Sequence, residues 1–94
     1  MKPYLSLGEA IEAYLKKNGL TEEAAVQKVI AEWDVLMGKA IAQNTEKVWF
    51  AQGVFYVKMN SPLWKNELQM ARIKLRDLLN REMGMELIQE VKIV

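Results

Sequence analysis

The feature that most constrains this chain is a change of hydrophobic period around Gln52-Gly53. On either side of that pair, Lys47-Val48-Trp49-Phe50-Ala51 and Val54-Phe55-Tyr56-Val57-Lys58-Met59 read with a period of two. That period belongs to strands, and a two-residue loop with glycine at a positive-φ position joins two of them as a tight hairpin. Pairing across the turn sets Phe50 opposite Phe55 and Val48 opposite Val57 on one face. The same register sets Trp49 opposite Tyr56 and Lys47 opposite Lys58 on the other. Phe50, Phe55, Val48, Val57 and Met59 form the expected core face.

Helical periodicity surrounds the hairpin. Ser6-Leu7-Gly8-Glu9 reads as a capping box, followed by the stripe Leu7, Ile11, Tyr14 and Leu15, with Asn18-Gly19 as the stop. A second helix starts at Thr21 with Glu22 and Glu23 complementing the macrodipole of its first turn. Val26, Val29, Ile30, Trp33 and Met37 share one face of it, Gly38 interrupts, and Ala40-Ile41-Ala42 continues helically or as a further short turn. Ser61-Pro62 opens the longest helix, serine as N-cap and proline at the first helical position. Its buried stripe is Trp64, Leu68, Ala71, Leu75, Leu78 and Leu79, and Gly84 ends it. Leu87 to Val94 reads as a final strand from its β-branched content.

The 94 residues fit one domain spanning 1–94, with one modest core. Its helices are expected at about 6–18, 22–43 and 62–82, and its strands at about 47–51, 54–60 and 86–93. The class is α+β in the order α-α-β-β-α-β, with the long helix crossing between the second and third strands.

The chain holds no cysteine and no histidine. Disulfides, thiolate metal sites and cysteine nucleophiles are excluded, and so are the commonest general base and metal ligand. Walker-type loops, GxSxG elbows and metal-spaced ligand sets are absent from the sequence. The carboxylates Glu22, Glu23, Glu32 and Asp34 read as helix surface and capping charges. The expectation is therefore no enzyme, no cofactor, no metal and no small-molecule substrate. Met1-Lys2-Pro3-Tyr4-Leu5 lacks the apolar run of a signal peptide, and no stretch is apolar enough to span a bilayer, so a cytoplasmic protein without membrane contact is expected.

Formal net charge is +1, yet the charge is unevenly placed. Between residues 58 and 81, Lys58, Lys65, Arg72, Lys74, Arg76 and Arg81 face only Glu67 and Asp77. Up to Met37 the balance is acidic. On a helix at about 100° per residue, Lys65, Arg72 and Arg76 lie within about 40° of one another on a flank of the buried stripe. Such a row suits a phosphate backbone, and equally a solvated helix flank. Trp49 and Tyr56, flanked by Lys47 and Lys58, are the ingredients of a single-strand stacking platform, or else a cross-strand pair that stabilises the hairpin or one covered by the N-terminal helix. Met70 and Ile73 share the face opposite the core stripe and suit a protein partner or a weak homodimer. Trp33, Trp64, Phe50 and Phe55 read as core.

The ordered set Trp33, Gly38, Ile41-Ala42, Thr45, Gly53, Ser61-Pro62-Leu63-Trp64-Lys65-Asn66-Glu67-Leu68 and Leu79-Asn80 followed by Gly84 resembles the DciA domain family, over roughly Val26 to Val94. The resemblance implies a domain similar to the K-homology fold, with helices on one face of a three-stranded sheet. It also implies association with the replicative DNA helicase DnaB and with single-stranded or forked DNA, in a loading role served elsewhere by ATP-dependent loaders. The family often carries a histidine and a proline around Asn44-Thr45-Glu46, where this chain has neither. Family members can also carry a basic, disordered tail beyond the globular domain. The glycines, at positions 8, 19, 38, 53 and 84, form no glycine-x-x-glycine loop, so K-homology-style RNA gripping is not expected.

Overall fold

A computed structural model describes residues 21–94, and the helix expected at 6–18 lies outside the described residues. The elements are α1 (Thr21–Ala31), α2 (Trp33–Met37), α3 (Lys39–Gln43), β1 (Thr45–Ala51), β2 (Val54–Met59), α4 (Pro62–Met70), α5 (Arg72–Met83) and β3 (Glu90–Ile93). The three strands form one mixed sheet in the order β1-β2-β3.

The hairpin has the register its pattern dictates: Val48 pairs with Val57, Trp49 with Tyr56, Phe50 with Phe55, and Lys47 with Lys58. Both turn residues are left-handed, Gln52 at φ 49° and Gly53 at φ 80°. Two positive φ values in succession give the turn the twist its flanking strands need. Gly53 also reaches the third strand, because its carbonyl accepts from the Gln89 N–H at 2.8 Å and the Glu90 N–H at 3.3 Å. A Cβ there would sit 3.2 Å from the Gln89 side chain. The hairpin turn thus fixes where β3 begins, and β3 runs parallel to β2 with Val54 beside Glu90, Phe55 beside Val91, Tyr56 beside Lys92 and Val57 beside Ile93.

Alternation then sends Phe55, Val57, Met59, Val91 and Ile93 to one side of the sheet. There they pack with Val26, Val29 and Trp33 from the first helices, Leu68, Leu75, Leu79 and Met83 from α4 and α5, and Ile88. Val57 and Leu79 are fully buried. Each large aliphatic side chain so buried contributes roughly 1.5–3 kcal/mol from the area withdrawn from water. Trp64, Phe50, Leu36 and Ile41 pack against this core while half-buried.

The helices differ from the expected ones in continuity. The helix expected over 22–43 is three segments separated at Glu32 and Gly38, and the one expected over 62–82 is two segments separated at Ala71. Neither Glu32 nor Ala71 is a residue type that breaks a helix. Ala71 sits at φ −103°, ψ 15°, and its N–H donates to the Leu68 carbonyl three residues back at 3.1 Å, a tighter turn than the α-helix allows. The last strand is shorter than the expected 86–93, because residues before Glu90 form the approach to the sheet.

Side-chain hydrogen bonds hold the connections. Ser61 caps α4 by accepting from the Trp64 N–H at 3.4 Å, with Pro62 in the first turn. Gly84, at φ 71°, ends α5 left-handed: its N–H donates to the Arg81 carbonyl, and the Met85 N–H to that of Asn80. The Asn80 side chain then pairs with the backbone of Ile88, donating to its carbonyl and accepting its N–H, both at 2.9 Å. Trp33 Nε1 donates to Thr45 Oγ1 at 3.1 Å, and Thr45 Oγ1 donates to the Ile41 carbonyl at 2.7 Å. That chain joins α2, α3 and β1 beside the Trp33–Phe55 ring contact, at 5.8 Å between centroids.

Candidate nucleic-acid interface

The sheet has a second face, and the pairing registers define its layout. Lys47 lies opposite Lys58; next come Trp49, Tyr56 and Lys92 in one row across all three strands; then Ala51, Val54 and Glu90. Among the described residues every helix packs on the other side. The row is therefore set by backbone geometry alone: hairpin register places the two rings, and parallel pairing adds the lysine.

The Trp49 and Tyr56 rings stack with centroids 5.0 Å apart and planes within 7°. The Lys47 ammonium stands 5.1 Å from the Trp49 ring centre. Such a cation–ring contact contributes roughly 0.5–1 kcal/mol when exposed. Lys58 bonds the Glu46 carboxylate at 3.2 Å, both side chains about half exposed, so this ion pair is salt-screened. Lys92 is exposed beside Tyr56. The face is cationic at one end, aromatic in the middle, and carries Glu90 at the other.

The helix flank is a different surface. Lys65 and Arg72 are exposed, on opposite sides of the break at Ala71. Arg76 differs from them in its surroundings. It is half-buried, and its guanidinium donates through Nε and Nη2 to Asp77 Oδ1, each at 3.1 Å. A neighbouring carboxylate therefore competes for the guanidinium that would meet a phosphate. Since α4 and α5 cover the inner face, Lys65 and Arg72 belong to one layer and Lys47, Trp49, Tyr56 and Lys58 to the other. The basic row of the helix flank and the aromatic pair with its lysines are thus two separate surfaces.

Met70 and Ile73 are 71% and 64% exposed, and Leu63, seven residues before Met70 on α4, is 64% exposed. Sequence reading missed Leu63 because it lies within the first turn of a capped helix; its spacing of seven from Met70 was the available signal. Lys92 was missed because nothing local says which strand β3 joins.

No group of three or more acidic residues among the described ones could hold a metal ion. No helix among them is long and apolar enough to cross a membrane.

The family model described as Dna[CI] antecedent, DciA matches residues 6–93. The chain belongs to the DciA family. Similar curated proteins are a UPF0232 protein of Corynebacterium glutamicum, 24% identical over 88 residues that make up 94% of this chain and 49% of that protein. Another, from Mycobacterium tuberculosis, is 25% identical over 87 residues, 93% of this chain and 46% of the relative. The chain thus spans about half the length of the curated relatives it matches. No solved structure matches it significantly. Trp33, Thr45, Gly53, Asn80 and Gly84, five of the residues that carry the DciA resemblance, tie helix to strand, turn to strand and helix to loop.

Proposed function

We propose that this domain is a non-enzymatic, nucleic-acid- and protein-binding module that acts with the replicative DNA helicase DnaB during its loading onto DNA. Membership of the DciA family over residues 6–93 is the observation that carries this reading. The whole of 1–94 is read as one such domain, its α+β architecture as K-homology-like, and its working compartment as the cytoplasm. DNA, single-stranded or forked, is the nucleic-acid partner. Its phosphates meet Lys65 and Arg72 on the helix flank and Lys47 and Lys58 on the open sheet face, with Arg76 a weaker contributor because Asp77 holds it. Each phosphate neutralised adds salt-dependent affinity.

A second reading rests on a separate observation. Leu63, Met70 and Ile73 expose three large apolar side chains on one helix pair, which suits a protein contact, whether helicase, adaptor partner or a weak homodimer.

The test is binding to single-stranded, duplex and forked DNA across a salt series, alone and with the organism's replicative helicase. The proposal expects a complex with helicase on co-purification and a DNA affinity that falls with salt. Lys65→Glu combined with Arg72→Glu should weaken DNA binding and flatten the salt slope. Met70→Asp with Ile73→Asp should spare DNA binding and weaken the protein contact. Absence of any helicase complex refutes the loading role, and absence of DNA binding leaves the adaptor reading.

A further inference from the structure

The geometry points to a one-nucleobase stacking site on the sheet face that no described helix covers, built from Tyr56 on the Trp49 stack and closed by Lys92, and selective for single-stranded nucleic acid. This rests on the nucleic-acid reading above and adds where a strand sits and how much of it is read.

Stacking decides the size of the site. A platform with two separate rings would take two bases, one per ring face. Here Trp49 and Tyr56 lie face to face at 5.0 Å and 7°, so each ring has given one face to the other. Lys47 stands 5.1 Å from the centre of the Trp49 ring and occupies that side of the pair with a cation. The stack can continue only beyond Tyr56, toward β3. There the parallel register places Lys92 directly beside Tyr56. A base laid on Tyr56 makes a three-membered stack by moving the exposed Lys92 stem aside, and the Lys92 ammonium then meets the sugar-phosphate that carries the base. Lys47 lies one row along, where a neighbouring phosphate would run.

Charge favours the same occupant. Lys58 has Glu46 as a partner at 3.2 Å, whereas the lysines that border the two rings, Lys47 and Lys92, form no salt bridge among the described residues. Glu90 lies at the far end of the face, one pair beyond the aromatic row, and directs a polyanion toward the Lys47–Lys58 end. Duplex DNA cannot use the site, because its bases are stacked on one another and only its phosphates reach the face.

The probes are a fluorescently labelled short oligothymidylate, the same strand made wholly of abasic sugar-phosphate, an abasic strand with one central thymine, and a duplex of equal length. The wild-type domain should bind the single-thymine strand nearly as well as the full oligothymidylate, and the abasic strand roughly 5- to 150-fold more weakly, the span expected for one stacked base. Tyr56→Ala should erase the difference between thymine and abasic strands, while Tyr56→Phe retains it. Lys92→Gln, which leaves both rings in place, should lower affinity for every single strand and reduce the salt slope by about 0.7, one phosphate contact. Equal binding of thymine and abasic strands by the wild-type protein overturns the stacking site. The site is overturned equally if Tyr56→Ala and Lys92→Gln both bind as wild type while Lys65→Glu with Arg72→Glu does not; the nucleic-acid reading then stands on the helix flank alone. If no strand binds at all, both fail together.

Discussion

The two faces of the three-stranded sheet use the same strands for opposite purposes. On the inner face Phe55, Val57, Val91 and Ile93 are shut away from water under the helices, and among the described residues no charged or polar one is buried with them. On the outer face, one residue along each strand, Trp49, Tyr56, Lys47, Lys58 and Lys92 stand half-buried or exposed. A pleat of period two sorts them, so the chain writes a core and a candidate binding surface in alternate letters. Substitutions on one face should therefore cost stability and spare binding, and those on the other should do the reverse.

The largest expected effect is on the inner face. Leu79→Ala removes a fully buried side chain between α5 and the sheet and should cost about 2–5 kcal/mol in denaturant unfolding. A loss under about 1 kcal/mol would mean that α5 is not seated on the sheet. Next comes the loop that delivers β3. Asn80→Ala leaves the Ile88 N–H and carbonyl unpaired, and a loss of roughly 1–3 kcal/mol should follow, with amide exchange faster through 85–93 than through the hairpin. Uniform acceleration would show that Asn80 does not act locally. Thr45→Val sharpens the comparison at the helix–sheet joint. It removes the acceptor of the Trp33 indole and should cost about 1–2 kcal/mol while leaving DNA affinity unchanged. The smallest effect belongs to the outer face: Glu46→Gln frees Lys58, and should change stability by less than about 1 kcal/mol while raising DNA affinity slightly at low salt.

Much of this was legible in the sequence, and the reasons are local. The register of Phe50 with Phe55 and of Trp49 with Tyr56 follows from a two-residue turn and a period of two, both contained in the hairpin segment itself. The Ser61-Pro62 cap and the Gly84 stop are equally local. The breaks at Glu32 and Ala71 are not, since those residue types favour or tolerate helix. The neighbourhood of Lys92 depends on a parallel pairing made across the α4–α5 crossover, which carries no signal in the strand itself. The Arg76–Asp77 contact was not legible for another reason: helical projection gives the direction of Arg76 along the flank but ignores the adjacent Asp77, which its long side chain can reach.

The division between faces has a direct reporter in its three tryptophan indoles. Trp33 Nε1 is buried and donates to Thr45, Trp49 lies on the open face, and Trp64 sits half-buried on α4. Titrating a short oligothymidylate into the nitrogen-15-labelled domain and following the three indole N–H resonances asks which surface the strand touches. The Trp49 indole is expected to shift progressively to saturation while the Trp33 indole stays in place. A saturable titration that moves other resonances and leaves Trp49 unmoved would contradict a binding role for the open face.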